Sequence, residues 1–144
     1  MLFGKRERLI RRILVVEDEP LVAFDNEYLL GESGYEVVAT VDSLADARRV
    51  IESEELDLVL TDIRLRGDGD GTGVARIARN NNVPVVFVTG HCPEEAQSLA
   101  VGCLAKPYSD KVLKAALEAV DEHLQGKEVK RLPAGLSLYE KAAG

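Results

Sequence analysis

RILVVEDEPLVAFDNEYLLGES, residues 12 to 33, sets a short apolar run directly against a helical pattern. RILVVE (12 to 17) is apolar at consecutive positions, as a strand buried on both faces is. In the segment that follows, Pro20 suits the first turn of a helix, Leu21, Phe24 and Tyr28 recur on one face, and Gly34 supplies a stop.

The same unit recurs along the chain. YEVVATV (35 to 41) leads into SLADARRVIES (43 to 53), where Ser43 with Asp46 forms a capping-box pattern and Leu44, Ala47 and Ile51 line a stripe. LDLVLTD (56 to 62) reads as the third strand; after a Gly-rich loop, Thr72 is placed to cap a short helix running to about Asn80. VPVVFVTG (83 to 90) and AVGCLAKP (100 to 107) read as strands four and five, and HCPEEAQSL between them leaves room for about two helical turns. The last helix, SDKVLKAALEAVDEHLQ, sets Val112, Leu113, Ala116, Leu117, Val120 and Leu124 on one face before Gly126. Five strands alternating with helices imply a parallel, doubly wound α/β sheet with right-handed crossovers and both faces covered. Residues 11 to 126 are the expected domain, 1 to 10 a basic extension, and 127 to 144, without sustained period, a flexible tail.

At 144 residues with 46% apolar content, the chain suffices for one core and one domain. No apolar stretch approaches the roughly 20 residues of a membrane span, and MLFGKRERLIRR lacks a signal peptide's apolar middle, so a cytoplasmic protein without membrane contact is expected. Cys92 and Cys103 are too few and unpatterned for a disulfide framework, in keeping with a reducing compartment. The net charge of −7 is segregated: residues 1 to 12 carry +4 and residues 127 to 144 carry +2, which leaves −13 on the body. That body repels phosphate backbones, so no direct nucleic acid binding is expected.

Ligands of such sheets bind beyond the carboxyl ends of the strands. Glu17 and Asp18 end strand one, Asp62 strand three, Thr89 strand four and Lys106 strand five, so three carboxylates, a hydroxyl and an ammonium converge on one rim. Clustered carboxylates resist ionising together unless a cation lies among them, and hard oxygen ligands suit Mg2+, which accepts phosphate oxygens as well. Asp18 and Asp62 are the expected direct ligands and Glu17 one that acts through water.

VVEDE, LTDIRL, VTG and AKP, in that order, resemble the receiver domain of bacterial two-component response regulators over roughly residues 11 to 125. The resemblance implies a flavodoxin-like five-stranded sheet in the order 2-1-3-4-5, with Asp62 as phosphoacceptor and the Arg64 backbone carbonyl as a third Mg2+ ligand. It also implies that the Arg64 and His91 side chains modulate water access to the phosphoryl group. VPVVFVTGH followed by KPY is similar to the subgroup named for a PFxFATGY motif, single-domain receivers that partner HWE-type or related histidine kinases; His91 stands where that subgroup has tyrosine. Cys103 occupies the place of the aromatic ring to which receivers couple the threonine, so Thr89 and Cys103 form the expected switch, with HCPEEAQSL a mobile element. A stand-alone receiver is thus the reading, not an enzyme in its own right. It takes its phosphoryl group from a histidine kinase or phosphotransfer protein and signals by phosphorylation-dependent protein contact, as a monomer or weak dimer.

Other chemistries compete for some of the same residues. DGDGT (68 to 72) matches the D-x-D-G-T signature of haloacid dehalogenase-type phosphatases, with Asp68 and Asp70 as its aspartates, but Asp68 follows IRLRG instead of a strand. Asp68, Asp70 and Gly73 also fit part of a calcium loop, although Arg79 stands where the bidentate glutamate belongs. VEDEP lacks the glycines of a nucleotide loop. His91, Cys92 and Cys103 are a weak soft-metal set, and His123, beside Asp121 and Glu122, reads as a solvated surface residue. A pseudo-receiver acting as a constitutive binding module is the remaining alternative.

Overall fold

The computed structural model describes residues 7–67 and 69–140. Strands β1 (Arg12–Val16), β2 (Glu36–Val41), β3 (Leu58–Thr61), β4 (Val85–Thr89) and β5 (Gly102–Ala105) pair in parallel in the order β2-β1-β3-β4-β5. A further strand, β6 (Leu136–Leu138), joins the free side of β5 antiparallel. Helices α1 (Pro20–Glu32), α2 (Leu44–Ser53), α3 (Gly71–Asn80), α4 (Ala96–Leu99) and α5 (Asp110–Leu124) alternate with the parallel strands. This is the doubly wound sheet that the alternation implies, in the flavodoxin-like order that the resemblance implies.

Successive strand side chains point to opposite faces, and the sequence supplies both faces with apolar groups. Ile13 and Val15 of β1, Leu58 and Leu60 of β3, Val86 and Val88 of β4 and Leu104 of β5 meet Leu30 of α1 and Leu113, Ala116 and Leu117 of α5. The alternate residues Leu14, Val16, Val59, Val85, Phe87 and Cys103 meet Ala47 and Ile51 of α2, Val74, Ala75 and Ala78 of α3, and Ala96 of α4. Helices thus cover both faces.

Helix ends follow their local chemistry, with two departures from expectation. The Ser43 hydroxyl accepts the Asp46 N–H at 3.2 Å, but the Asp46 carboxylate pairs with Arg49 at 2.9 Å, so only half of a capping box forms. At α3 the cap is Asp70, not Thr72: Oδ1 accepts the N–H groups of Thr72 at 3.0 Å and Gly73 at 3.1 Å. A carboxylate one residue before Gly71 reaches both free donors of the first turn, which leaves the Thr72 hydroxyl to turn back on to Asp70.

Five further expectations are corrected. Pro20 does open α1, but Leu21, Phe24 and Tyr28 are 79, 68 and 64% exposed, and the helix buries Ala23, Asn26 and Leu30. That side packs near α5, and its Asn26 Oδ1 accepts the Tyr108 hydroxyl at 3.0 Å. The fourth helix is one turn, not two, because residues 93 to 95 are spent on a turn entered through Pro93. Within the supposed extension, Ile10 is fully buried, and Asp121 accepts the N–H groups of Leu9 at 3.1 Å and Ile10 at 3.0 Å. Within the supposed tail, β6 seats Leu136 in the core, and the half-buried His123 lies 2.7 Å through Nε2 from the Tyr139 carbonyl, so it is not simply a solvated surface group. A three-residue strand is too short to leave a period in the sequence.

Candidate functional site

Parallel pairing brings the strand ends to one rim. Val16 of β1 is in register with Thr61 of β3, and Thr89 of β4 with Ala105 of β5. Glu17, Asp18, Asp62 and Lys106 are the residues that follow immediately, and the Asp62 N–H donates to the Val16 carbonyl at 3.0 Å. The Lys106 N–H donates to the Thr89 carbonyl at 2.7 Å, which joins the rim across β4 and β5.

The side chains complete the arrangement. Lys106 Nζ donates to Glu17 Oε1 at 2.8 Å and to Asp62 Oδ2 at 2.7 Å, while Asp62 Oδ1 accepts the Arg64 N–H at 3.1 Å. Glu17 is buried, and its other oxygen accepts the Glu19 N–H at 3.0 Å. Burial works against the charge on Lys106, but the hydrogen bonds and charges of Asp62 and Glu17 together outweigh it and hold the ammonium above its ordinary 10.5. Asp62 thus has each oxygen fixed by a donor and its side chain only 13% exposed.

The segment that follows β3 contributes more than Asp62. The Arg66 N–H donates to Asp18 Oδ2 at 3.0 Å, with the guanidinium 3.7 Å away. Gly71 allows the loop to close against the strand end: a Cβ there would lie 1.9 Å from the Asp62 carbonyl oxygen. The Gly71 N–H reaches the Ile63 carbonyl at 2.7 Å, and the Thr61 hydroxyl donates to the Asp62 carbonyl at 2.8 Å. Neither Arg66 nor Gly71 carries a sequence signal for this role, because both act through proximity that the fold creates.

Glu17, Asp18 and Asp62 each offer an oxygen, and these oxygens lie within 4.8 Å of one another. An all-oxygen carboxylate set suits a hard cation. Against three carboxylates stands the Lys106 ammonium, which leaves about the charge that a divalent ion balances. Among the described residues this is the cluster that can hold a metal. The soft-metal set does not form, since Cys92 and Cys103 are bonded to each other, S–S 2.06 Å, contrary to the expectation of free thiols. Their spacing gave no sign of it; register places Cys103 beside β4, whose following loop carries Cys92.

Thr89 is 7% exposed at the end of β4, Cys103 is fully buried, and Arg64 and His91 are exposed on the rim. Asp70 is engaged as the α3 cap, and Asp68 lies outside the described residues. A family model described as the response regulator receiver domain matches residues 13–118. The chain belongs to that family.

Similar proteins agree with this membership. The transcriptional regulatory protein PdtaR of Mycobacterium tuberculosis is 33% identical over 114 residues, covering 75% of this chain and 55% of its own length; this chain therefore spans about half of that relative. The signal receiver domain of a modulated diguanylate cyclase from Desulfovibrio desulfuricans shares the fold with a TM-score of 0.70 at 30% identity, covering 83% of this chain and 99% of that one. A receiver domain of a Pseudomonas aeruginosa sensor histidine kinase, with a magnesium ion coordinated in its active site cleft, has a TM-score of 0.67 at 30% identity over 75% of this chain and 94% of its own. The likeness reaches the receiver family and not the narrower PFxFATGY subgroup. Among the described residues, no helix is long and apolar enough to cross a membrane.

Proposed function

We propose that this receiver accepts a phosphoryl group on Asp62 in a Mg2+-dependent reaction. The observation that carries this reading is Asp62 itself, held at the tip of β3 between Lys106 and the Arg64 N–H, beside Glu17 and Asp18. An Asp62 oxygen attacks the phosphorus of a phosphohistidine; the new O–P bond forms as the P–N bond breaks, and the imidazole departs taking a proton. Such a transfer needs mostly alignment and neutralisation of charge. Lys106 supplies a fixed positive charge on Asp62, and Thr89 provides a hydroxyl for the transferred group at the neighbouring strand end.

Asp18 and Asp62, with the Arg64 carbonyl, would hold the metal, and Glu17 would act through water. When bound, the ion neutralises phosphoryl oxygens and the carboxylates around them. Arg64 and His91, both exposed on the rim, would govern the access of water to the phosphoryl group. The donor would be a histidine kinase, of HWE or related type on the sequence pattern, or a phosphotransfer protein. The output would be a phosphorylation-dependent protein contact in the cytoplasm.

Intact mass after incubation with acetyl phosphate and Mg2+ tests the assignment. One phosphoryl adduct is expected on the wild-type chain, and none in Asp62→Ala or after chelation. An adduct that persists in Asp62→Ala or in the chelated sample overturns it.

A further inference from the structure

Cys92 and Cys103 have no part in the acidic site, yet they lie between two residues of its rim, Thr89 and Lys106. Cys92 follows Thr89 by three positions, and Cys103 precedes Lys106 by three. Cys103 is fully buried on β5, in register with Phe87 of β4, whereas Cys92 is half-buried in the loop that leaves β4. The bond joins residues 11 positions apart, and the whole of α4 lies inside that span.

Without the bond, the enclosed segment has few anchors. A helix of four residues does not stand alone. Ala96 is its buried residue, Leu99 is half-buried, and the Arg79 guanidinium donates to the Ser98 carbonyl at 3.1 Å. The rest of the molecule needs no staple, because both faces of the sheet carry complete apolar layers. A covalent link here acts on the loop beside the site and not on the fold.

We propose that Cys92 and Cys103 form a reversible thiol–disulfide site, oxidised by a hydroperoxide and reduced by a dithiol protein, whose state decides whether the segment carrying α4 is clamped to β5. The proposal goes beyond phosphoryl acceptance and does not depend on it. Access makes the two sulfurs unequal, so Cys92 is the point of entry in both directions.

In oxidation by hydrogen peroxide, the Cys92 thiolate attacks one peroxide oxygen; the O–O bond breaks, hydroxide leaves, and a sulfenic acid remains. The Cys103 sulfur then attacks the Cys92 sulfur and gives up its proton, and the sulfenic oxygen leaves as water. Two thiols and one peroxide become one disulfide and two waters. In the reverse direction a thiolate of the dithiol attacks the Cys92 sulfur, Cys103 departs and takes up a proton, and the second thiol of the reductant resolves the mixed disulfide. Two electrons pass to the protein.

The test uses the full chain, oxidised with hydrogen peroxide and then reduced with dithiothreitol without denaturant, and followed by alkylation mass and amide hydrogen exchange. The peroxide-treated chain should take up no alkyl group and the reduced chain two. Exchange across residues 94 to 100 should rise on reduction by on the order of tenfold or more, the scale expected when a cross-link of this loop size is opened, while β1 and β3 stay protected. Cys92→Ser should exchange like the reduced chain under both conditions, and the reduced wild-type chain gives the same reading should that variant fold poorly. Equal exchange in the two redox states, thiols left free by peroxide, or a bond reducible only after unfolding would each refute the proposal. Asp62→Ala should keep the redox difference, so this outcome and that of the phosphorylation experiment are read separately.

Discussion

Asp70 performs a structural task that its DGDGT context disguises. Its carboxylate caps α3, and the Thr72 hydroxyl is the main cause of its lowered pKa; burial opposes the shift, and the Gly73 and Thr72 N–H groups and the Arg76 charge add to it. Asp70→Ala should therefore lower stability by about 1 kcal/mol at pH 7, the usual cost of losing such a cap, read as a shift in the urea midpoint. The folded-state pKa lies below the ordinary 3.8, so the share of this contribution that depends on the charge is present above that value and is lost as the pH falls through the folded value. The gap between wild type and Asp70→Ala should narrow in acid, since the protonated carboxyl still accepts the two N–H groups but loses the share that depends on its charge; a gap that widens there would contradict the cap as its source. Phosphorylation at Asp62 should persist in Asp70→Ala, whereas a phosphatase built on the pair Asp68 and Asp70 would lose its chemistry. Arg64 and His91 belong to the same scale. Both are exposed beside Asp62 and Thr89 and both offer hydrogen-bond donors, so Arg64→Ala and His91→Ala should each change the decay rate of the phosphorylated chain. Unaltered decay in both would remove them from the site.

Elements were legible wherever one local pattern decided the outcome. Strands β1, β3 and β4 are apolar at successive positions because both sheet faces are covered, and that continuity is visible before any contact is known. Once parallel strands are granted, Glu17, Asp18, Asp62, Thr89 and Lys106 must share a rim. The face of α1 was not legible, since large apolar groups at Leu21, Phe24 and Tyr28 outweighed Ala23, Asn26 and Leu30, which the helix buries. Which stripe faces inward depends on the room left beside α5, and no local spacing records that room. Leu30→Ala should thus cost about 2–5 kcal/mol as a truncation in a filled core, whereas Phe24→Ser should stay within about 0.5 kcal/mol. Urea unfolding of the two variants decides the matter, and a Phe24→Ser chain as unstable as Leu30→Ala would mean that the exposed face is covered. The Cys92–Cys103 bond escaped the sequence for a related reason: a separation of 11 residues says nothing until β5 is known to lie beside β4.

On the scale of the whole molecule, the sheet ends differently on its two sides. β2 is one edge, while β5, which would be the other, is covered by β6 through the Ala105 N–H to the Gly135 carbonyl and the Tyr139 N–H to the Val101 carbonyl, both at 2.9 Å. An uncovered β5 would present unpaired backbone groups to another chain. The cover depends on a close approach at Gly102, where a Cβ would lie 2.8 Å from the Ser137 carbonyl oxygen and 3.2 Å from Leu138. Backbone sets the nearer limit, so a methyl group there cannot be accommodated by a side-chain rotation; β6 must move. Gly102→Ala should therefore raise amide exchange at residues 136 to 139 while the parallel strands keep their protection, and it should increase self-association at high concentration as the β5 edge opens. Sedimentation beside hydrogen exchange separates the two effects. A Gly102→Ala chain with β6 still protected would show that the strand is held chiefly by Leu136 in the core and the His123 contact, not by its fit against β5.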